Sequence, residues 1–127
     1  MAITGPKVVL VDDDASMREA LGHLLDAAGC NWAAYESAEA LLDGHEWEAA
    51  ACVVSDLGLP GMSGFELLDW LRARGASMPV VVITAHDAPG RREDAMRRGA
   101  AEYLAKPFRG TVLLGVIKAV MQSAGPQ

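Results

Sequence analysis

Short apolar runs alternate with amphipathic stretches along the whole chain. Four runs stand out, Val8 to Val11, Asn31 to Tyr35, Ala51 to Ser55 and Val80 to Thr84, and a weaker fifth covers Ala101 to Ala105. In Val80-Val81-Val82-Ile83 the hydrophobicity is continuous rather than alternating, as expected of a strand covered on both faces in a parallel sheet. The segments between the runs must then supply the covers. Met17, Leu21, Leu24, Leu25 and Ala28 fall on one stripe of a helix over Ala15 to Ala28, with Gly29 as its stop. Ser37 is placed to cap a short helix carrying Leu41 and Leu42, and Ser63 with Glu66 has capping-box spacing ahead of Leu67, Leu68 and Leu71. Asp87 is placed to cap a fourth helix ending at Gly99, weakened by Pro89 and Gly90 near its start. A last helix from Gly110 to Gln122 carries Val112, Leu113, Val116, Ile117, Val120 and Met121, a stripe wide enough for a core face and a partner face.

Strands alternating with helices five times predict an α/β fold with right-handed crossovers around a parallel sheet. A length of 127 residues with 51% apolar content suits one domain, read as residues 5–122, with 123–127 as a tail or the start of a linker. The formal net charge of -6 argues against direct nucleic-acid binding by this segment, because gripping phosphates needs clustered Lys and Arg. No leader-like start and no run of about 20 apolar residues is present, so no membrane association is expected and a cytoplasmic location is the default. Cys30 and Cys52 lack metal-ligand spacing and read as reduced, half-buried structural residues.

Ligands of open parallel sheets bind beyond the carboxyl ends of the strands, so the residues there carry the candidate chemistry. Asp12, Asp13 and Asp14 follow the first run, Asp56 the third and Lys106-Pro107 the fifth, and Thr84 ends the fourth. Carboxylates gathered at one rim repel each other unless a cation sits among them, and hard oxygen ligands favour Mg2+. Magnesium pairs best with one or two carboxylates plus phosphate oxygens, which points to phosphoryl chemistry. Singly, the acids read as a solvated helix N-terminus, Thr84 as an ordinary strand residue and Lys106 as a surface lysine; their joint placement outweighs those readings. Asp14 is read as a first-turn acid outside the metal shell, His23 and His45 as solvated or structural, and Trp32, Trp47 and Trp70 as packing residues.

From about Gly5 to Met121 the chain resembles the receiver (REC) domains of two-component system response regulators. The resemblance rests on Asp12-Asp13 after Val-Val-Leu-Val, the stretch from Asp56 through Pro60 to Gly64, Thr84-Ala85, and Tyr103-Leu-Ala-Lys106-Pro107-Phe108. It implies a doubly wound five-stranded parallel sheet, (βα)5, of flavodoxin-like order 2-1-3-4-5. It also implies a sensor histidine kinase as phosphoryl donor. Asp56 would be the phosphoacceptor and nucleophile. Mg2+ would be held by Asp13 directly, by Asp12 through water, by Asp56 and by the backbone carbonyl of Gly58. Lys106, the Thr84 hydroxyl and the Ala85 N–H would contact the phosphoryl oxygens. Movement of Thr84 towards them would let Tyr103 turn inward and bias the surface of helix four, strand five and helix five, which a partner or a second copy in a homodimer would read. Gly58 and His86, each two residues beyond a site residue, occupy positions near the phosphoryl group in receivers and are expected to tune its lifetime. The wording around Pro60 and Lys106 is most like receivers joined to a LuxR-type helix-turn-helix output domain, so transcription regulation is the expected output.

Two other classes compete. Asp12-x-Asp14 also resembles the nucleophile motif of haloacid-dehalogenase-like phosphatases, with Asp12 attacking, but that family needs an acidic pair after the lysine and none follows Lys106. A phosphorylation-independent pseudo-receiver binding module would typically have lost an acid or the lysine. The expected character is a phosphoacceptor signalling domain that catalyses only its own phosphorylation and dephosphorylation, not an enzyme acting on other molecules.

Overall fold

The computed structural model describes residues 7–124; Gly5 and Pro6 of the expected domain, and 125–127 of the expected tail, lie outside the described residues. Five strands, β1 (Lys7–Val11), β2 (Asn31–Tyr35), β3 (Cys52–Asp56), β4 (Val80–Thr84) and β5 (Glu102–Ala105), form one parallel sheet of order β2-β1-β3-β4-β5. Five helices connect and cover them: α1 (Ala15–Ala27), α2 (Ala38–Gly44), α3 (Gly64–Ala73), α4 (Arg91–Arg97) and α5 (Gly110–Ala124).

The continuous apolar runs do what a doubly covered sheet requires. Every residue of β3 and β4 is buried. Because successive side chains point to opposite faces, Val9, Val11, Val53, Val80 and Val82 pack on one side with Leu41 of α2, Leu67, Leu68 and Leu71 of α3 and Ala95 of α4. Val8, Leu10, Cys52, Val54, Val81 and Ile83 pack on the other with Leu21 and Leu25 of α1 and Leu113 and Ile117 of α5. Truncating one of the larger of these side chains to Ala costs about 2–5 kcal/mol.

Local signals decide where the helices start. Ser63 accepts the Glu66 N–H while the Glu66 carboxylate accepts the Ser63 N–H, a complete capping box, and the Ser37 hydroxyl accepts the Ala40 N–H. Asp14 is not a first-turn acid but the N-cap of α1, accepting the N–H groups of Ser16 and Met17. Asp87 does not cap α4. That helix begins four residues later behind Gly90, which stands at φ 83° without a side-chain cap bond, because Pro89 and Gly90 turn the chain first. A short 3-10 turn, Glu46–Ala49, entered through His45 at φ 61°, was not foreshadowed by the periodicity. Cys30 is half-buried and Cys52 fully buried, both free, and burial pushes the Cys52 thiol up to about 12. Trp47 is buried and meets Trp70 edge-on, while His23 and His45 are exposed.

Candidate functional site

The register of the sheet builds the acidic rim. β1 and β3 are adjacent and parallel with Val11 opposite Ser55, so the next residue of each strand line, Asp12 and Asp56, emerge side by side at the carboxyl edge. Asp13 follows on the solvent side, and ligand oxygens of Asp12, Asp13 and Asp56 all lie within 4.8 Å of one another. Asp12 is only 1% exposed and Asp56 7%. The Asp12 backbone is fixed by donation of its N–H to the Tyr35 carbonyl at 3.1 Å and by acceptance at its own carbonyl from Arg18 Nη1 at 2.7 Å.

Lys106 enters from the far side. β5 pairs with β4 so that Ala105 lies opposite Thr84, and the Lys106 N–H donates to the Thr84 carbonyl at 2.7 Å. Its ammonium then spans back to Asp12 Oδ2 at 2.9 Å and Asp56 Oδ2 at 3.2 Å. The other oxygens are also directed: Asp12 Oδ1 accepts the Asp14 N–H at 2.9 Å, and Asp56 Oδ1 accepts the Gly58 N–H at 3.1 Å.

Burial and pairing pull the two partners differently. Burial dominates at Asp12 and, with the nearby charge of Asp56, raises its carboxyl above the usual range, although Lys106 and the Asp14 N–H pull it down. Burial alone would lower Lys106, but the hydrogen bond and charge of Asp12, joined by Asp56, outweigh it and hold the ammonium charged to higher pH than usual. One cation thus leaves an excess of negative charge among three acids. The donor set fits a hard divalent ion: carboxylate oxygens only, close together, with exposed Asp13 on the side where waters of hydration have access.

Thr84 is 1% exposed at the end of β4, and its hydroxyl accepts the His86 N–H at 3.0 Å, while Ala85 and the His86 side chain are exposed at the rim. Tyr103 lies inward, 3% exposed, and its hydroxyl donates to Asp87 Oδ1 at 2.7 Å. Burial first, and then the bond and charge of Asp87, push its phenol up to about 12. Asp87 is therefore the acceptor that holds the ring in; its sequence signal read as a helix cap.

Gly58 has open space beside Asp56: an added Cβ would find only Asp56 Oδ1 within 4 Å, at 3.9 Å. Gly64 is the opposite case, since a Cβ there would stand 2.4 Å from the Asp56 carbonyl oxygen and 2.8 Å from Leu57 Cα. The first turn of α3 therefore packs directly against the backbone that presents Asp56, an approach only glycine permits. The positioning roles of Gly64, of Arg18 and of Asp87 were not read from the sequence, because each depends on a contact between separate elements.

A family profile described as "Response regulator receiver domain" matches residues 8–118. The chain is 45% identical over 111 residues to the response regulator protein FleR of Pseudomonas aeruginosa, covering 87% of this chain and 24% of FleR. It is 36% identical over 119 residues to the transcriptional regulatory protein FixJ of Bradyrhizobium diazoefficiens, covering 94% of this chain and 58% of FixJ. The chain thus spans well under two thirds of these relatives. Among solved structures, the chemotaxis response regulator CheY4 of Vibrio cholerae superposes with a TM-score of 0.84 at 28% identity, covering 92% of this chain and 99% of that one.

Proposed function

The chain belongs to the response regulator receiver domains, and on that premise we propose that Asp56 accepts a phosphoryl group from a phosphohistidine of a sensor histidine kinase. The observation that carries this reading is the Lys106 ammonium set between Asp12 and Asp56 at the rim where the acids converge. Both Asp12 and Asp56 are aimed by a backbone N–H and Lys106, and the family resemblance together with the greater exposure of Asp56, 7% against 1%, supports Asp56 as the acid that attacks. A carboxylate oxygen of Asp56 forms the new P–O bond as the P–N bond of the donor breaks. Asp12, Asp13, Asp56 and the Gly58 carbonyl would hold Mg2+, which when bound supplies further neutralisation of the phosphoryl oxygens. Lys106, the Thr84 hydroxyl and the Ala85 N–H bind and orient that group, in keeping with a reaction governed by positioning and electrostatics. The domain in this reading acts as a phosphoacceptor and turns over no external substrate.

The switch works through the loop after β4. With Tyr103 inward, a shift of the Thr84 hydroxyl towards the phosphoryl group would pull on its bond from the His86 N–H and so on the loop that Asp87 ties to Tyr103. That changes the surface of α4, β5 and α5, where Met96 and Val112 are the exposed large apolar residues available to a partner or a second copy. Gly58 and His86 flank the phosphoryl position and set how readily water reaches it. The receiver unit corresponds to residues 5–122 in the cytoplasm. Its output is transcriptional control, through a region outside this segment, of the kind that the name of FixJ describes.

Incubation with acetyl phosphate and Mg2+, reductive trapping and mass spectrometry test the reading. Modification is expected on Asp56 and is abolished by Asp56→Asn; modification on Asp12, or none, would overturn it.

A further inference from the structure

The segment between Asp56 and α3 carries the Gly58 carbonyl, so whatever holds that loop still also sets the site. Its near end is fixed locally: the Gly58 N–H bonds Asp56 Oδ1, Leu59 is 6% exposed in the core, and the Gly64 N–H donates to the Leu57 carbonyl at 3.2 Å. Its far end passes through exposed Pro60 and Gly61, the latter at φ +72°, to Met62, which is half-buried against the core. The hydrogen bond that ties this turn to another element comes from α2. The Met62 N–H donates to Glu39 Oε2 at 2.8 Å, across 23 positions of sequence. The fit is close. A Cβ on Gly61 would lie 2.7 Å from the same oxygen, so the turn runs close beside Glu39, and the φ of +72° there favours glycine. The Met62 N–H, and then the backbone N–H of Glu39 itself, hold the Glu39 carboxyl below its ordinary range, as expected of an acceptor fixed in its ionised form.

From this geometry we infer that Glu39 is a positioning residue of the phosphoryl site. It touches neither the acids nor Lys106, but it holds the far end of the loop whose near end carries the Gly58 carbonyl, and so supports the cation-binding geometry from α2. The inference rests on the function proposed above. Groups that bond a metal ligand directly alter metal affinity by roughly 10–100-fold when removed. Glu39 acts through several residues of backbone, so Glu39→Ala should weaken Mg2+ binding by about three- to tenfold. Glu39→Gln keeps an acceptor oxygen and should stay within about twofold of the parent, since the Met62 bond can re-form.

Three measurements on this chain decide the matter: the hydrogen-exchange rate of the Met62 amide without metal, the Mg2+ dissociation constant by calorimetry, and the rate of Asp56 modification by acetyl phosphate across Mg2+ concentrations. Glu39→Ala should speed Met62 exchange, raise the Mg2+ dissociation constant, and slow modification at low Mg2+ but not at saturation, with Glu39→Gln restoring all three. Unchanged Mg2+ affinity in Glu39→Ala, a slower rate that saturating Mg2+ does not restore, or equal losses in the Ala and Gln variants would each overturn the inference. If the parent chain binds Mg2+ but takes no label on Asp56, the phosphoacceptor reading fails, while the exchange and calorimetry arms still judge Glu39.

Discussion

Replacing Lys106 by Met exposes the cost at which the acidic rim is assembled. The ammonium stands 2.9 Å from Asp12 and 3.2 Å from Asp56, with only 13% of the lysine side chain exposed. At an effective dielectric of about 20, each pair is worth about 5–6 kcal/mol of attraction. The two acids, whose nearest ligand oxygens lie within 4.8 Å, repel by about 3.5 kcal/mol or more on the same scale. The lysine's own desolvation offsets a large part of the attraction, and breaking a buried pair by removing one partner costs about 3–5 kcal/mol, so Lys106→Met should lose about 3 kcal/mol or more. Asp12→Asn alone should change stability by about 1 kcal/mol or less, since the attraction lost to Lys106 is offset by relief from Asp56 and from burial of charge. In the Lys106→Met background the same change should recover about 2 kcal/mol, because the burial of Asp12 and its repulsion from Asp56 then outweigh the bond from the Asp14 N–H, which Asn can still accept. The pH dependence has a definite sign. Asp12 is already raised in the fold, and loss of Lys106 removes a lowering influence. Its protonation favours the native state, so the deficit of Lys106→Met should shrink as pH falls from 7 and return as pH rises through the folded value. Urea denaturation in chelator-containing buffer, at pH 7 and about 5, with the slope checked for constancy, measures all of this. A Lys106→Met variant within about 0.5 kcal/mol of the parent, or a double variant equal to the sum of the singles, would refute the reasoning.

Three further outcomes follow from the same geometry. Tyr35 and Tyr103 are the two tyrosines of the chain and both phenols are pushed up to about 12, Tyr35 by burial and by Glu46, so ultraviolet titration at alkaline pH should show no phenolate near the ordinary value of 10. The stability their neutral forms contribute is intact below 10 and declines as pH rises towards 12; Asp87→Ala should lower one of the two transitions, and an unchanged titration would remove Asp87 as the holder of Tyr103. Gly58→Asn has space beside Asp56 and should alter the lifetime of the acyl phosphate, as should His86→Ala, without changing stability by more than about 0.5 kcal/mol; identical dephosphorylation rates in both would discard their tuning role. Gly64→Ala should cost about 2–3 kcal/mol, because its Cβ would press on the Asp56 carbonyl with no flexible side chain to yield; parent-like stability would show that α3 can withdraw freely.

The fold was legible because its signals are local and repeated. Continuous apolar runs mark strands buried on both faces, and the observed sheet buries β3 and β4 completely. The caps at Ser37 and Ser63 were legible for the same reason, since donor and acceptor lie three residues apart. The strand-end rule brought Asp12, Asp13, Asp56, Thr84 and Lys106 to one rim, as register then requires. What escaped depends on contacts across elements. Asp87 was assigned to a cap because its local sequence allows one, whereas a tyrosine sixteen residues away claims its carboxylate. Glu39 and Arg18 carry no local signal, because the turn at Met62 and the carbonyl of Asp12 meet them only in the fold.

The inward Tyr103 ties the loop after β4 to the core. Here the hydroxyl is already satisfied by Asp87, Arg92 donates to the Tyr103 carbonyl at 3.0 Å, and Arg91 donates to the His86 carbonyl at 2.8 Å. The loop between β4 and α4 is therefore held at several points, and the most direct of them from the phosphoryl position is the bond between the Thr84 hydroxyl and the His86 N–H. A ligand shifts an equilibrium only by its differential affinity for the two states. In the function proposed above, the phosphoryl group would gain that difference through the Thr84 hydroxyl, which accepts from the His86 N–H and keeps its own proton to donate to a phosphoryl oxygen, so a shift of Thr84 would be carried into the loop through that bond.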